Sequence, residues 1–153
     1  MKNLLVAAVC CALLACSSGS NAKIIHPVLQ FVQLSGPAEQ NYRPGDIEVQ
    51  YGIRIANRSS EPITLRRIEL RSVGVGGPYV LRAQSYYFER VIQPEQFEDV
   101  TFWAKAVAGG DGMATDARAP VTVRAVVFFQ SPAGGFRNVL TQMLDQTGRL
   151  GGT

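Results

Sequence analysis

Thiols are nearly missing from this chain. Cys10, Cys11 and Cys16 are the only cysteines, and none follows position 16. A domain lying beyond them has no disulfide and no thiolate zinc site available, so a hydrophobic core must hold it together. Histidine is scarcer still. His26, beside Pro27, is the only one, and the common nucleophilic triads need a base that is usually histidine. Charge is thin: 15 Lys and Arg against 12 Asp and Glu give a formal net charge of +3. The cations are mostly arginine and are dispersed, without the basic stripe that marks nucleic-acid binding, so no nucleic-acid partner is expected. The densest group, Arg66-Arg67 with Arg71, reads either as a solvated strand face balanced by Glu69 or as an anion or lipid-headgroup patch. Gly74-Val75-Gly76-Gly77 runs into Pro78 and an apolar stretch. A phosphate loop would instead open a helix. No apolar run is long enough to span a bilayer, which takes about 20 residues.

One shorter apolar run, residues 4–15, is informative. It follows Lys2 and ends in Leu13-Leu14-Ala15-Cys16. Its length suits the apolar region of a cleaved signal, about 7–15 residues with a small residue before the cut. Ala15 supplies that small residue, whereas Cys10 follows Val9 and Cys11 follows Cys10. The segment resembles a bacterial lipoprotein signal peptide with its lipobox. The resemblance implies cleavage after Ala15, a diacylglyceryl group on the Cys16 sulfur and a further acyl chain on the new N-terminus. An ordinary secretory signal cut nearby is the alternative. At about 0.8 kcal/mol per buried CH₂, two or more chains anchor stably where one does not, making the membrane a partner through Cys16. Ser17, rather than Asp, after the cysteine implies the outer membrane, facing the periplasm, in a proteobacterial envelope. The chain then divides into a signal (1–15), a lipidated tether rich in small polar residues (16–25), a domain (26–147) and a frayed tail (148–153). Loss of Lys2 with the signal lowers the formal charge to +2.

From residue 28 the apolar residues recur with period two between Gly, Pro and Asn/Ser turns, the pattern of half-buried strands. Residues 28–34 open the series. Ile47, Val49, Tyr51, Ile53 and Ile55 then alternate with Glu48, Gln50, Gly52 and Arg54. In 63–72 the alternation slips: Ile63 and Leu65 have one parity, Ile68 and Leu70 the other. A β-bulge at Arg66-Arg67 would return all four to the core and turn both arginines outward. Shorter strands are expected over 79–82, 86–92, 100–106 and 121–130, with a loop over 107–120. A hairpin signal at 131–135 leads into 136–144, which fits an edge strand or one helical face. Phe102, Val123, Val127 and Phe129 complete the expected core with Ile47, Val49, Tyr51, Ile53, Ile55, Ile63, Leu65, Ile68 and Leu70. Seven to eight short strands without a strong helix predict an all-β sandwich of two antiparallel sheets. The run from Val49 to Leu65, with Asn57-Arg58-Ser59 and Pro62-Ile63, resembles a hairpin of immunoglobulin-like domains. It is also similar to late-embryogenesis-abundant type 2 and fibronectin type III sandwiches. These folds share architecture without sharing a site, so the resemblance assigns no functional residue.

Chemistry-bearing clusters are few. Asp111 and Asp116 lack the spacing of a calcium loop, and Glu95, Glu98 and Asp99 are the acids available should distant carboxylates converge in a cleft. No metal and no cofactor is expected. In 100–106 the inward parity belongs to Val100, Phe102 and Ala104, which turns Trp103 outward. In 121–130 the same argument turns Val126 and Phe128 outward. If the two strands are neighbours, Trp103, Val126 and Phe128 form an exposed apolar patch of the kind that contacts partners. The expectation is a non-enzymatic envelope domain, binding an envelope protein or other macromolecule or serving as a structural accessory. The alternative is a tethered enzyme or small-ligand binder with acids in a cleft. Cys16→Ser should block lipid attachment and leave either uncleaved precursor or soluble protein. Mass spectrometry and membrane fractionation check this; unchanged membrane association with normal processing overturns it.

Overall fold

The computed structural model describes residues 24–37, 45–74, 77–109, 116–145 and 148–150; the signal segment and Cys16 lie outside them. Alternation builds eight strands: β1 (Val28–Ser35), β2 (Gly45–Ala56), β3 (Ile63–Ser72), β4 (Tyr79–Leu81), β5 (Gln84–Ile92), β6 (Phe97–Ala108), β7 (Val121–Ser131) and β8 (Gly134–Leu144). They form two four-stranded antiparallel sheets, β1-β2-β6-β4 and β5-β3-β7-β8. The pairings β2–β6 and β3–β7 join strands far apart in sequence, as in immunoglobulin-like sandwiches where strands A, B and E face C, F and G. Residues 136–144 are strand, and the two-residue connection explains why. Ser131 and Gly134 pair directly across Pro132 and Ala133, and Gly134 takes a positive φ of 124° that an L side chain resists.

The inner faces meet as the alternation requires. Val49, Tyr51, Ile53, Ile55, Ile63, Leu65, Ile68, Leu70, Phe102, Val123, Val127 and Phe129 are all buried. The β3 register shifts between Leu65 and Arg67 against both neighbours. That bulge seats four aliphatic side chains inward, leaves Arg66 exposed and Arg67 half-exposed. Rings fill the gap between sheets: Phe31 stacks on Tyr51 at 5.3 Å and Tyr86 lies 4.7 Å from Phe102. The buried apolar side chains of the described residues run from Phe31 to Leu144.

Four expectations need correction. Ile47 is only half-buried, because it lies near the end of the ladder where β2 pairs Ala106 rather than the broad middle of the core. Residues 49–65 are not a hairpin: β2 and β3 belong to different sheets, since alternation fixes a strand's faces but not its partner. Their connection is instead clamped by buried Asn57, whose Nδ2 donates to the carbonyls of Glu61 (2.8 Å) and Ile92 (3.1 Å) while Oδ1 accepts from Ser59 N (3.0 Å). The loop expected over 107–120 starts later, as Val107 and Ala108 extend β6. The tail is not frayed over 148–150. Gly148 N donates to Gln33 O at 3.1 Å. Leu150 lies over Gly52, where a Cβ would come within 2.8 Å of its Cδ1.

Within the core sits a polar relay that period-two reasoning assigned to no role. Tyr51 OH lies 2.7 Å from Tyr79 OH, and Tyr79 OH donates to Gln33 Oε1 at 2.5 Å. Burial pushes both phenols well above their ordinary pKa, so both stay protonated. Gln33 Nε2 is buried without a partner, which leaves the amide dependent on Tyr79. Tyr79→Phe should therefore cost about 1–3 kcal/mol by orphaning Gln33 entirely. Tyr51→Phe spares the Tyr79–Gln33 bond and should cost less. Chemical denaturation of the two variants orders them; equal losses refute the relay.

Candidate functional site

β4 is short, and a groove follows from that. Tyr79, Val80 and Leu81 pair Ala108, Val107 and Ala106, and among the described residues no strand continues along this edge of β6. The chain instead crosses to the other sheet at 82–83. Gln84, the first residue of β5, reaches back: its Nε2 donates to Lys105 O at 2.5 Å and its Oε1 accepts from Lys105 N at 3.0 Å. The side-chain amide thus reproduces the two bonds of a strand residue and satisfies backbone groups that would otherwise lie bare. Tyr86 OH donates to the same Oε1 at 2.9 Å and steadies it.

Over this junction lies a groove of about 850 Å³ on the outer face of the β1-β2-β6-β4 sheet. Asp46 and Glu48 of β2, Arg82 and Gln84 of the crossing, and Lys105 and Trp103 of β6 line it. The ladder sets their order. Glu48 is opposite Lys105 and Gln50 is opposite Trp103. Trp103 keeps 48% of its surface exposed. A flat aromatic beside both signs of charge suits a macromolecular contact, where buried aromatics supply much of the binding energy.

Trp103 faces outward as its parity required, but the joint patch with Val126 and Phe128 does not form. Those two residues are half-buried on the outer face of β7, and β7 lies in the opposite sheet between β3 and β8. Their strand follows Trp103's strand in sequence, yet it pairs in the other sheet. Phe128 instead lies under Arg67, whose guanidinium carbon is 4.1 Å from the ring centroid. Three of the candidate acids have partners of their own. Asp99 makes two hydrogen bonds to Arg54, at 2.7 and 2.6 Å. Glu95 lies 4.0 Å from Arg58. Asp116 accepts from Arg118 N at 2.9 Å. Asp111 lies outside the described residues. Among those residues no group of three or more His, Cys, Asp or Glu side chains could hold a metal ion. His26 is spent structurally, with Nδ1 2.5 Å from Asn138 Oδ1 and its ring edge-on to Phe136. Sequence reasoning missed Gln84 and Arg82. The available signal was the brevity of the apolar stretch at 79–81 beside a much longer 97–108.

No protein-family model matches the sequence, and no curated protein does. Solved structures are similar in fold. A protein from Archaeoglobus fulgidus superposes with a TM-score of 0.51 at 8% identity, covering 80% of this chain and 97% of its own. A Bordetella pertussis protein assigned as ApaA gives 0.45 at 15% identity over 77% of this chain and 89% of its own. At such identities the archaeal likeness extends to the fold alone.

The Arg54–Asp99 pair makes a pH-dependent prediction. Arg54's hydrogen bonds hold the Asp99 carboxyl below the usual carboxylate range. A depressed folded-state pKa stabilises the fold above the unfolded value, about 3.9, and the contribution is lost as pH falls through the folded value. Asp99→Asn should therefore melt slightly earlier than the parent at neutral pH and coincide with it in strong acid. A gap that persists unchanged in acid rules out the pairing as its source.

Proposed function

We propose that this is a lipid-anchored cell-envelope protein, held in the membrane through Cys16, whose sandwich is a non-enzymatic binding domain or structural accessory for another macromolecule. The observation that carries the reading is Trp103, exposed at the rim of a mixed-charge groove. Nothing in the packing of the core needs an indole there; Phe102 and Ala104, its neighbours, face inward. The lipobox Leu13-Leu14-Ala15-Cys16 supports the anchor, and Ser17 supports an outer-membrane, periplasm-facing location. The groove suits a protein or peptide segment with an apolar or aromatic residue for Trp103 and charges to meet Glu48 and Lys105.

Because Trp103 is the chain's one tryptophan, it reports on its own surroundings. Its fluorescence should resemble that of a water-exposed indole and shift to shorter wavelength when a partner covers it. Trp103→Ala should leave the melting temperature nearly unchanged, since surface substitutions usually fall within about 0.5 kcal/mol. A photo-crosslinking residue at 103 should capture a defined partner in the intact envelope. Truncation of a core tryptophan costs about 3–5 kcal/mol; a loss of that size places Trp103 in the core and refutes the reading. So does an intact envelope that gives no crosslink.

A further inference from the structure

The two outer faces of the sandwich are electrically unlike. Outward positions of β2 and β6 carry Asp46, Glu48 and Asp99 against Arg54 and Lys105. The outer face of β5-β3-β7-β8 carries five arginines against two glutamates. Arg66 pairs Glu89 at 3.0 Å and Arg67 pairs Glu69 at 3.1 Å. Arg71, Arg124 and Arg137 have no ion pair or side-chain hydrogen bond among the described residues. Arg71 and Arg124 are, moreover, directly opposite each other in the β3–β7 register. Like charges so placed destabilise a sheet. Such an arrangement is relieved when an anion lies against the face.

The same face carries exposed apolar groups. Tyr87 is 75% exposed, Met143 66% and Val139 48%. Val139 is opposite Val126, Arg137 opposite Phe128 and Thr141 opposite Arg124. Cations interleaved with protruding apolar side chains fit a bilayer interface, which offers anionic headgroups above an acyl boundary. A purely anionic polymer such as polyglutamate would use the charges alone. The chain enters the domain beside the edge of this sheet, just before β1 of the other. Asn138 of β8, the edge strand of this sheet, donates to Pro27 O at 3.3 Å, and His26 lies against Phe136. From there residues 16–24 reach at most roughly 30 Å by covalent length, so the Cys16 lipid and the arginine face can meet one membrane.

We propose that the outer face of the β5-β3-β7-β8 sheet, centred on the opposed Arg71 and Arg124, docks on anionic phospholipid of the leaflet that holds the Cys16 lipid. The Trp103 groove, on the other outer face, then turns away from the bilayer toward its partner. The inference rests on the anchored reading, but its test does not need the lipid.

The test uses the lipid-free chain from Ser17 onward, which retains the whole buried core between Phe31 and Leu144. It should sediment with vesicles of equal phosphatidylglycerol and phosphatidylcholine, not with phosphatidylcholine alone, and should be released at about 0.5 M salt. The double variant Arg71→Glu/Arg124→Glu should bind at least tenfold more weakly, while Arg118→Glu, in the β6–β7 connection, should bind like the parent. Arg71→Glu alone creates an opposite-charge pair with Arg124, so it should raise the melting temperature while weakening vesicle binding. Four results overturn the proposal: equal binding to neutral vesicles, equal weakening by Arg118→Glu, an unweakened double variant, or binding to polyglutamate without binding to anionic vesicles. Failure of the anchor itself would be seen separately, as a processed chain lacking acyl mass at Cys16 while vesicle binding persists.

Discussion

The β2–β6 ladder orders the rest of the molecule. Its register runs unbroken from Gly45 opposite Ala108 to Ala56 opposite Phe97. On its inner side that register stacks Val49, Tyr51, Ile53 and Ile55 against the aliphatics of β3 and β7. On its outer side it sets Glu48 beside Lys105, Gln50 beside Trp103 and Arg54 beside Asp99. A slip of one residue would exchange the two sets, which is why burial on one side enforces the outer arrangement so strictly. In a domain without disulfides, that apolar interface is the principal source of stability.

Polar groups hold the sandwich where the ladders stop. Asn57 ties the β2–β3 connection to the β5–β6 connection, through Ile92 O and Asn57 N to Gln96 O at 2.8 Å. Gln84 closes the β6 edge beyond β4. The Tyr51–Tyr79–Gln33 relay joins three strands of one sheet inside the core. These side chains stand in for backbone pairing or for water; loss of Asn57 or of Tyr79 leaves a buried donor or acceptor unpaired. The Trp103 groove lies over one of these devices, Gln84, and the cationic face spreads from the bulge at Arg66-Arg67.

In the proposed anchored protein, an aromatic groove on one face and, on the other, three arginines without an ion pair among the described residues suit a domain that must be oriented. A tether alone holds a domain near a membrane without fixing which side faces out. An electrostatic contact of one face, weak in itself and screened by salt, gains from the high effective concentration that an anchor provides.

The faces of most strands were legible in the sequence. The alternation of 47–55 marked its inward side, and the parity slip at Arg66-Arg67 revealed the bulge, because a pleated strand buries every second residue whatever it pairs with. The outward turn of Trp103 followed from the same rule, and the hairpin at 131–135 from a glycine that tolerates positive φ. Partner choice was not legible. Val126 and Phe128 parted from Trp103, and β2 parted from β3, because pairing is decided by how two whole sheets bury against each other, not by any local period. The dependence of Gln33 on Tyr79, the reach of Gln84 to Lys105, the seat of Leu150 on Gly52 and the opposition of Arg71 to Arg124 join residues far apart in the chain. Their nearness exists only once both sheets have closed, so only the tertiary structure could decide it.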